Sequence, residues 1–223
     1  MQDFLDNFAN WESLLRVYPL LLQGLIYTVW LAVVALPLGI LAGLAIAVLY
    51  SFKKRWVNIA LLIYIDLFRS FPVVVLLILI FYGMPFLGLT LGGFTAAVLA
   101  IVLNNSGYYG EIFRAGILSV PHGQTEAARA LGFKPLHVAF SIVLPQAIRN
   151  VLAPLASNSL ELVKATPIAA LVALPELLRS ARVAQEQTYN PTPLMAAAVI
   201  FFVILYPFAR WVARLERQAL KAR

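Results

Sequence analysis

The chain has 223 residues, of which 62% are apolar and only 12% are charged, whereas soluble domains average roughly 45–50% and about 25%. A soluble fold of this length cannot bury so much apolar surface, so the composition excludes a soluble domain. The formal net charge is +7, but basic residues collect beside apolar stretches, as in Lys53, Lys54 and Arg55. This placement favours cytoplasmic ends of membrane spans over a nucleic-acid surface. The absence of cysteine excludes disulfides and Cys-based metal or redox sites.

Residues 1–16 predict a short amphipathic helix on the membrane surface. Apolar side chains recur there every three or four positions, as expected for one face of a helix. These residues are Phe4, Phe8, Trp11 and Leu15.

A first membrane span is predicted over about residues 19–50. Between Arg16 and Lys53 there is no Asp, Glu, Lys or Arg, so the apolar stretch exceeds the ~20 residues that cross ~30 Å of hydrocarbon as a helix. Small residues four apart in this span favour close approach of another helix. They are Gly39, Gly43 and Ala47.

Two further spans follow. Span 2 covers about residues 56–83 and contains Asp66 and Arg69, which we expect to pair on one helical face because paired charges cost less within a membrane. Pro72 is expected to interrupt the backbone hydrogen bonds of this span. Span 3 covers about residues 87–117 and changes halfway from aliphatic to polar residues. Such a change indicates a helix that faces a cavity or a neighbouring helix instead of lipid.

Residues 119–141 form a long polar interruption. Its prolines and glycines predict a short helix over about residues 124–131, ended by Gly132 in the left-handed conformation. A second helix is predicted to have Pro135 in its first turn. Span 4 lies somewhere within residues 144–174, and span 5 covers about residues 194–208.

The predicted fold is thus a single all-α integral membrane domain, residues 1–223, with about five transmembrane helices. Basic residues are frequent after span 1, between spans 3 and 4 and in the C-terminal tail, whereas the turn between spans 2 and 3 has none. This pattern predicts that the N-terminus lies outside and the C-terminus in the cytoplasm. Arg179 and Arg182, after span 4, argue weakly against this orientation.

An intramembrane enzyme is a rival interpretation that the sequence disfavours. The two histidines, His122 and His137, lie in the polar interruption, so no histidine falls within a span as a base or a metal ligand. The sequence also lacks a G-x-x-x-x-G-K-[ST] phosphate-binding loop. If the chain takes part in an ATP-driven process, another subunit must hydrolyse the ATP.

The most informative stretch is EAARALGFKPLHVAFSIVLP, residues 126–145. It contains E-A-A, three residues, Gly, nine residues and I-x-L-P. The matching positions are Glu126, Ala127, Ala128, Gly132, Ile142, Leu144 and Pro145. This pattern resembles the EAA loop in the membrane subunits of bacterial binding-protein-dependent ABC importers. The segments 64–85, 108–132 and 144–166 resemble the polar amino-acid branch of that family, so the resemblance covers nearly the whole chain.

The resemblance implies a type I ABC importer permease in the bacterial inner membrane. Its expected partners are a second permease copy or a paralogue, ATP-binding subunits that hold ATP and Mg²⁺, an extracytoplasmic amino-acid-binding protein, an amino-acid substrate and the lipid bilayer. The chain itself is expected to hold no cofactor or metal, to bind no nucleic acid and to catalyse no reaction. A secondary transporter or channel for small polar solutes is the alternative, and the EAA spacing argues against it.

In that family the EAA loop is the coupling helix, which transmits closure of the ATP-binding dimer to the spans as rigid-body movement. Ala127 and Ala128 would permit close approach to a partner. Glu126 would offer its carboxylate for charge-assisted hydrogen bonds, including to the first amides of its own helix.

A second candidate site is a substrate path within spans 3 and 4. Its predicted residues are Asn105, Tyr108, Glu111, Asn158, Glu161, Lys164 and Thr166. Ionisable residues within spans suggest function, and a zwitterionic amino acid needs both a cation and acceptors. The alternative is that Glu161 and Lys164 only neutralise each other. The family commonly has L-K-D-T-S where this chain has V-K-A-T-P, with Ala165 in place of the acid and Pro167 in place of Ser. The change removes a carboxylate that could recognise a basic side chain, so it favours a neutral or acidic amino acid as the substrate.

Overall fold

The computed structural model describes residues 8–221 of the chain, and all regular structure in that range is helical. The chain falls into two compact units. The first unit comprises Met1–Pro37, Phe71–Val102 and Glu161–Phe208. The second unit comprises Leu38–Ser70, Leu103–Leu160 and Ala209–Arg223.

The α-helices, in chain order, are α1 Trp11–Ser51, α2 Arg55–Ser70, α3 Val73–Ile78, α4 Gly93–Leu118, α5 His122–Ala130, α6 Pro135–Val138, α7 Leu144–Ala165, α8 Leu177–Thr188 and α9 Thr192–Lys221. A π-helical turn, Leu79–Gly83, and a 3-10 turn, Met84–Leu87, continue α3. A second π-helical turn, Ala139–Val143, joins α6 to α7, and a 3-10 segment, Thr166–Val172, follows α7.

The first predicted span is confirmed as a helix, but its start differs from the prediction. The chain is not helical at Ala9 and Asn10, and α1 then runs unbroken from Trp11. The side-chain oxygen of Asn10 accepts a hydrogen bond from the Ser13 amide at 2.8 Å, which caps the first turn. The separate surface helix predicted over residues 1–16 is therefore wrong from Trp11 onward. Residues 1–7 lie outside the described part of the chain.

The interruption predicted at Pro72 is confirmed, and it divides span 2 into two helices. Pro72 has extended backbone angles, φ −57° and ψ 132°, and the residue before a proline avoids the helical region, so the chain breaks between α2 and α3. The π-helical turn after α3 ends two residues before Pro85, and the one before α7 ends two residues before Pro145. Proline offers no amide donor and its ring clashes with the preceding turn, which widens the helix locally.

Three helical stretches of the described residues are long and apolar enough to cross a membrane. They are Trp11–Ser51, Pro135–Val172 and Thr192–Leu220, and the bent pair α2 and α3 makes a fourth if it counts as one span. Helix α4, predicted span 3, has 26 residues but is not among them, because polar residues fill its second half. A count of five spans and the orientation of the termini stay predictions.

Helix α8 is the main element that the sequence analysis missed. It presents small and apolar residues to a core of the first unit that also contains residues of α1 and α9. This core consists of Val17, Leu21, Leu177, Ala181, Ala184 and Ala197. A Cβ atom added to Gly24 would lie 2.7 Å from the Cβ of Ser180, so α1 and α8 pack in close contact only because position 24 has no side chain.

The N-terminus of α8 is capped by a buried carboxylate. The oxygens of Glu176 accept hydrogen bonds from the amides of Leu178 and Arg179 at 2.9 and 2.7 Å, and Thr28 accepts one from the Leu177 amide at 3.0 Å. Burial raises the pKa of the Glu176 carboxyl, although both amides and the nearby arginines Arg182 and Arg179 act in the opposite direction. The capping acid followed by a leucine pair is the sequence signal that could have found this helix.

Candidate functional site

Helix α5 is the short helix predicted in the polar interruption, and it is confirmed with shifted ends. It begins at His122, after the extended Pro121, and ends at Ala130. Gly132 has φ +81°, a conformation that costs other residues about 1–2 kcal/mol. The Gly132 amide donates to the Arg129 carbonyl at 2.9 Å and the Phe133 amide to the Ala128 carbonyl at 3.1 Å. These bonds satisfy carbonyls that the end of a helix leaves without partners.

The surface of this segment is mixed. Ala128 is buried, whereas Glu126 and Ala127 are exposed. Just beyond the helix, Leu131 and Leu136 are 78% and 71% exposed. We call these four exposed residues, Glu126, Ala127, Leu131 and Leu136, the loop patch.

One expectation for Glu126 is wrong. It is the fifth residue of α5, past the first turn, and its side chain makes no hydrogen bond among the described residues, so its carboxylate does not bind the first amides. It is instead directed to the exposed surface, where a partner can reach it.

The I-x-L-P element forms the junction between α6 and α7. Ile142 lies in the π-helical turn, and its carbonyl accepts a hydrogen bond from the side-chain amide of Gln146 at 2.9 Å. Pro145 lacks the amide that would complete a regular helix there. Leu144 and Pro145 are exposed. The helix predicted to begin at Pro135 is confirmed, and it continues without interruption into predicted span 4.

The structure brings two residues of the predicted substrate path together in the second unit. The Asn158 side-chain amide donates to the Asn105 side-chain oxygen at 3.2 Å. Beside them, the hydroxyl oxygens of Tyr109 and Ser159 lie 3.0 Å apart, and Tyr109 is fully buried. Sequence reasoning missed both, although Tyr109 lies four residues after the predicted Asn105 and so shares its helical face; Ser159 only follows the predicted Asn158 in the chain.

Tyr108, another predicted path residue, lies against the end of α2. Its hydroxyl donates to the Arg69 carbonyl at 3.4 Å, and the Asn104 side-chain amide donates to the Phe68 carbonyl at 2.8 Å. Both carbonyls belong to the last turn of α2, and the carbonyls of a last turn have no amide partners within their own helix. The Arg69 guanidinium carbon lies 4.9 Å from the centroid of the Tyr108 ring. The predicted pairing of Asp66 with Arg69 is wrong: within the described residues, Arg69 contacts Tyr108 instead.

The remaining path residues already have partners. Glu111 forms a two-bond ion pair with Arg114, at 2.9 and 2.5 Å, in the second unit. In the first unit, Lys164 and Glu161 form an ion pair at 2.7 Å with side chains 45% and 65% exposed. Thr166 is buried and donates to the Val163 carbonyl at 2.8 Å. The geometry thus agrees with mutual neutralisation of Glu161 and Lys164, while leaving both side chains accessible.

The long apolar helices and the polar residues within them define a helical membrane protein. The family model described as binding-protein-dependent transport system inner membrane component matches residues 35–221, and the chain belongs to this family. Members of the family are transport components and not enzymes, and ATPase activity lies in a separate subunit. The resemblance found in the sequence is thereby confirmed.

Named relatives agree with this assignment. The chain is 32% identical over 205 residues to a probable amino-acid ABC transporter permease of Bacillus subtilis, covering 89% of this chain and 91% of that protein. It is 32% identical over 222 residues to the histidine/lysine/arginine/ornithine transport system permease of Salmonella typhimurium, covering 95% and 94%.

A solved structure supports the fold. The crystal structure of an amino acid ABC transporter with histidines contains a chain that is 34% identical to this one, with a TM-score of 0.85. The match covers 92% of this chain and 97% of that chain. The all-α fold of a type I ABC importer permease, predicted from the sequence, is therefore confirmed.

Proposed function

We propose that this chain is the permease subunit of an ATP-driven amino-acid importer and that the loop patch couples it to a separate ATP-binding subunit. The observation that carries the proposal is the geometry of α5, a surface helix ended by Gly132 with φ +81° and flanked by exposed leucines. A helix end of this kind offers a partner a small, defined shape with apolar contacts and one carboxylate.

The chain continues from the patch into a long helical stretch. Only residues 131–134 separate α5 from α6, and the stretch from Pro135 then runs to Val172. A displacement of α5 by a partner would act on the start of this stretch through a short connection. This short connection supports coupling by rigid-body movement of packed helices.

The proposed complex lies in the bacterial inner membrane. It includes an ATP-binding subunit that holds ATP and Mg²⁺, an extracytoplasmic amino-acid-binding protein, and a second permease copy or paralogue. These partners are supported by the chain's membership of a binding-protein-dependent inner-membrane family and by its similarity to amino-acid transport permeases.

The substrate path is proposed along the polar residues of α4 and α7. Asn105, Tyr108 and Asn158 offer uncharged hydrogen-bonding groups in the second unit. The accessible pair of Glu161 and Lys164 in the first unit offers one charge of each sign, which suits the two ends of a zwitterion. Because Ala165 stands where the family often has an acid, the proposed substrate is a neutral or acidic amino acid.

The coupling role is tested by reconstituting the permease in vesicles with its ATP-binding subunit and binding protein, and by measuring uptake and ATP hydrolysis together. Glu126→Lys reverses the one charge of the loop patch, and Gly132→Asp places a side chain at φ +81°. Both variants are expected to insert normally and to lose at least tenfold in uptake per ATP hydrolysed, a change of about 1.4 kcal/mol in coupling.

Matched controls lie on the same helix. Gln124→Lys adds a positive charge at an exposed position outside the patch, and Gly123→Asp places an Asp where a Cβ atom meets nothing within 4 Å. Both controls are expected to transport normally. Undiminished uptake by Glu126→Lys and Gly132→Asp, with the controls also active, would contradict the coupling role.

A further inference from the structure

A small cavity in the second unit lies between the ends of α1 and α4. It has a volume of about 160 Å³. It is lined by the apolar residues Ala47, Ile117 and Leu118, which we call the apolar wall, and by Tyr50, Ser51, Lys53 and Arg114. Two basic residues thus line this cavity, whereas the cavity of the same unit lined by Leu44, Phe113 and Leu144 has no charged residue in its lining.

The cavity lies where a long apolar run ends. Lys53 is the first Lys, Arg, Asp or Glu after Arg16, and α1 ends two residues before it. Residues at such a transition meet the headgroup region of a bilayer. The cavity therefore opens at the depth where phosphate groups of lipids are found.

The charged residues of the lining are both basic. Arg114 is held in place by its ion pair with Glu111, and its guanidinium carbon lies 5.6 Å from the centroid of the Tyr50 ring. That pair is electrically balanced. Lys53 forms no ion pair among the described residues, so its charge is not offset within the unit, and the adjacent Lys54 and Arg55 add to the local potential.

The backbone fixes the direction in which Lys53 leaves the helix. Its φ is +55°, a left-handed conformation that costs a non-glycine residue about 1–2 kcal/mol. Its amide donates to the Tyr50 carbonyl at 3.2 Å. The turn thereby directs the chain past the C-terminus of α1 and keeps Lys53 at the edge of the cavity.

We propose that this cavity binds the headgroup of an anionic phospholipid. Its phosphate lies against Lys53 and the free edge of Arg114, and its glycerol and first acyl carbons lie against Ala47, Ile117 and Leu118. Basic pockets between membrane helices bind anionic headgroups by this combination of charge and apolar contact. Inorganic phosphate would gain nothing from the apolar wall, which favours a lipid over a free anion.

The simpler explanation is that Lys53 only complements the negative end of the α1 dipole. That role needs neither an apolar wall nor a cavity, and it predicts no preference for one lipid over another. The two explanations are therefore separable by experiment.

The test uses the full-length protein in detergent micelles and native mass spectrometry. Phosphatidylglycerol is titrated against phosphatidylcholine with the same acyl chains, and inorganic phosphate is titrated separately. The wild-type protein is expected to retain phosphatidylglycerol in preference. Lys53→Gln is expected to bind it about fivefold more weakly, since a basic residue near an anionic headgroup contributes about 1 kcal/mol.

Lys54→Gln is the matched control, because it removes the same charge from the next residue, which does not line the cavity. It is expected to leave binding unchanged. An equal loss in both variants would show a diffuse attraction to the basic segment and overturn the site. No loss in Lys53→Gln would overturn it as well, and displacement of bound lipid by millimolar inorganic phosphate would overturn the assignment to a lipid.

Discussion

Single residues in the second unit show why polar groups can be placed within an apolar chain. The hydrogen bond between Asn105 and Asn158 and the contact between Tyr109 and Ser159 satisfy each polar group inside the protein. A buried polar group without a partner costs about 1–3 kcal/mol. These residues therefore stabilise one arrangement of the helices, whatever part they take in transport.

Removal of the Tyr109 hydroxyl tests this stabilising role. Tyr109→Phe leaves the ring in place and removes one hydrogen bond of the Ser159 hydroxyl, which keeps its bond to the Leu155 carbonyl. The free energy of unfolding is expected to fall by about 1 kcal/mol, the typical net contribution of one hydrogen bond. Thermal unfolding of the detergent-solubilised protein measures this loss. Tyr206→Phe is the control, because Tyr206 is half exposed, and its Tm is expected to stay at the wild-type value. A Tm of Tyr109→Phe equal to that of the wild type would show that the hydroxyl contributes nothing.

At the scale of elements, close packing of the helices depends on glycine positions that have no side chain. Gly43 and Gly39 lie against the ring and backbone of Tyr109 in α4. The small-residue spacing in the sequence predicted a close approach of some helix and left its identity open. The structure gives α4 as the neighbour.

Gly43→Ala tests this close approach. A Cβ atom at position 43 would lie 2.8 Å from the Gly110 amide nitrogen, so α1 and α4 would have to move apart. Overpacking of this kind costs about 1–3 kcal/mol, and a lower Tm is expected. Gly83→Ala is the matched control, because a Cβ atom there meets nothing within 4 Å. A Tm of Gly43→Ala no lower than that of the control would refute the close packing.

At the scale of the whole molecule, the number of spans depends on two elements. Helix α4 has the length of a span but not the hydropathy, and the pair α2 and α3 is a span only if both helices count together. The polar residues of α4 and the break at Pro72 between α2 and α3 are the reason that composition alone does not decide the topology. Five spans with the N-terminus outside remain the prediction from the basic residues.

The absence of cysteine makes this topology directly measurable, because single cysteines can be introduced without background labelling. Leu89→Cys and Tyr189→Cys are expected to react with a membrane-impermeant thiol reagent in intact cells. Lys54→Cys and Gln124→Cys are expected to react only after the membrane is permeabilised. All four positions are exposed, so low accessibility within the fold does not explain a failure to react. Labelling of Lys54→Cys in intact cells would contradict the predicted orientation.

The sequence by itself determined the class of protein, most of the helices and the turn at Gly132. These features depend on local properties: runs without charge, the φ angles that glycine allows, and the spacing of the E-A-A and I-x-L-P elements. Only the tertiary structure decided the packing of α8 against α1 and the partners of Arg69, Glu111 and Tyr109. Side-chain partners depend on which helices lie side by side, and residues far apart in the chain determine that. For this reason the pairing of Asp66 with Arg69, which is reasonable within one helix, gave way to a contact between Arg69 and Tyr108.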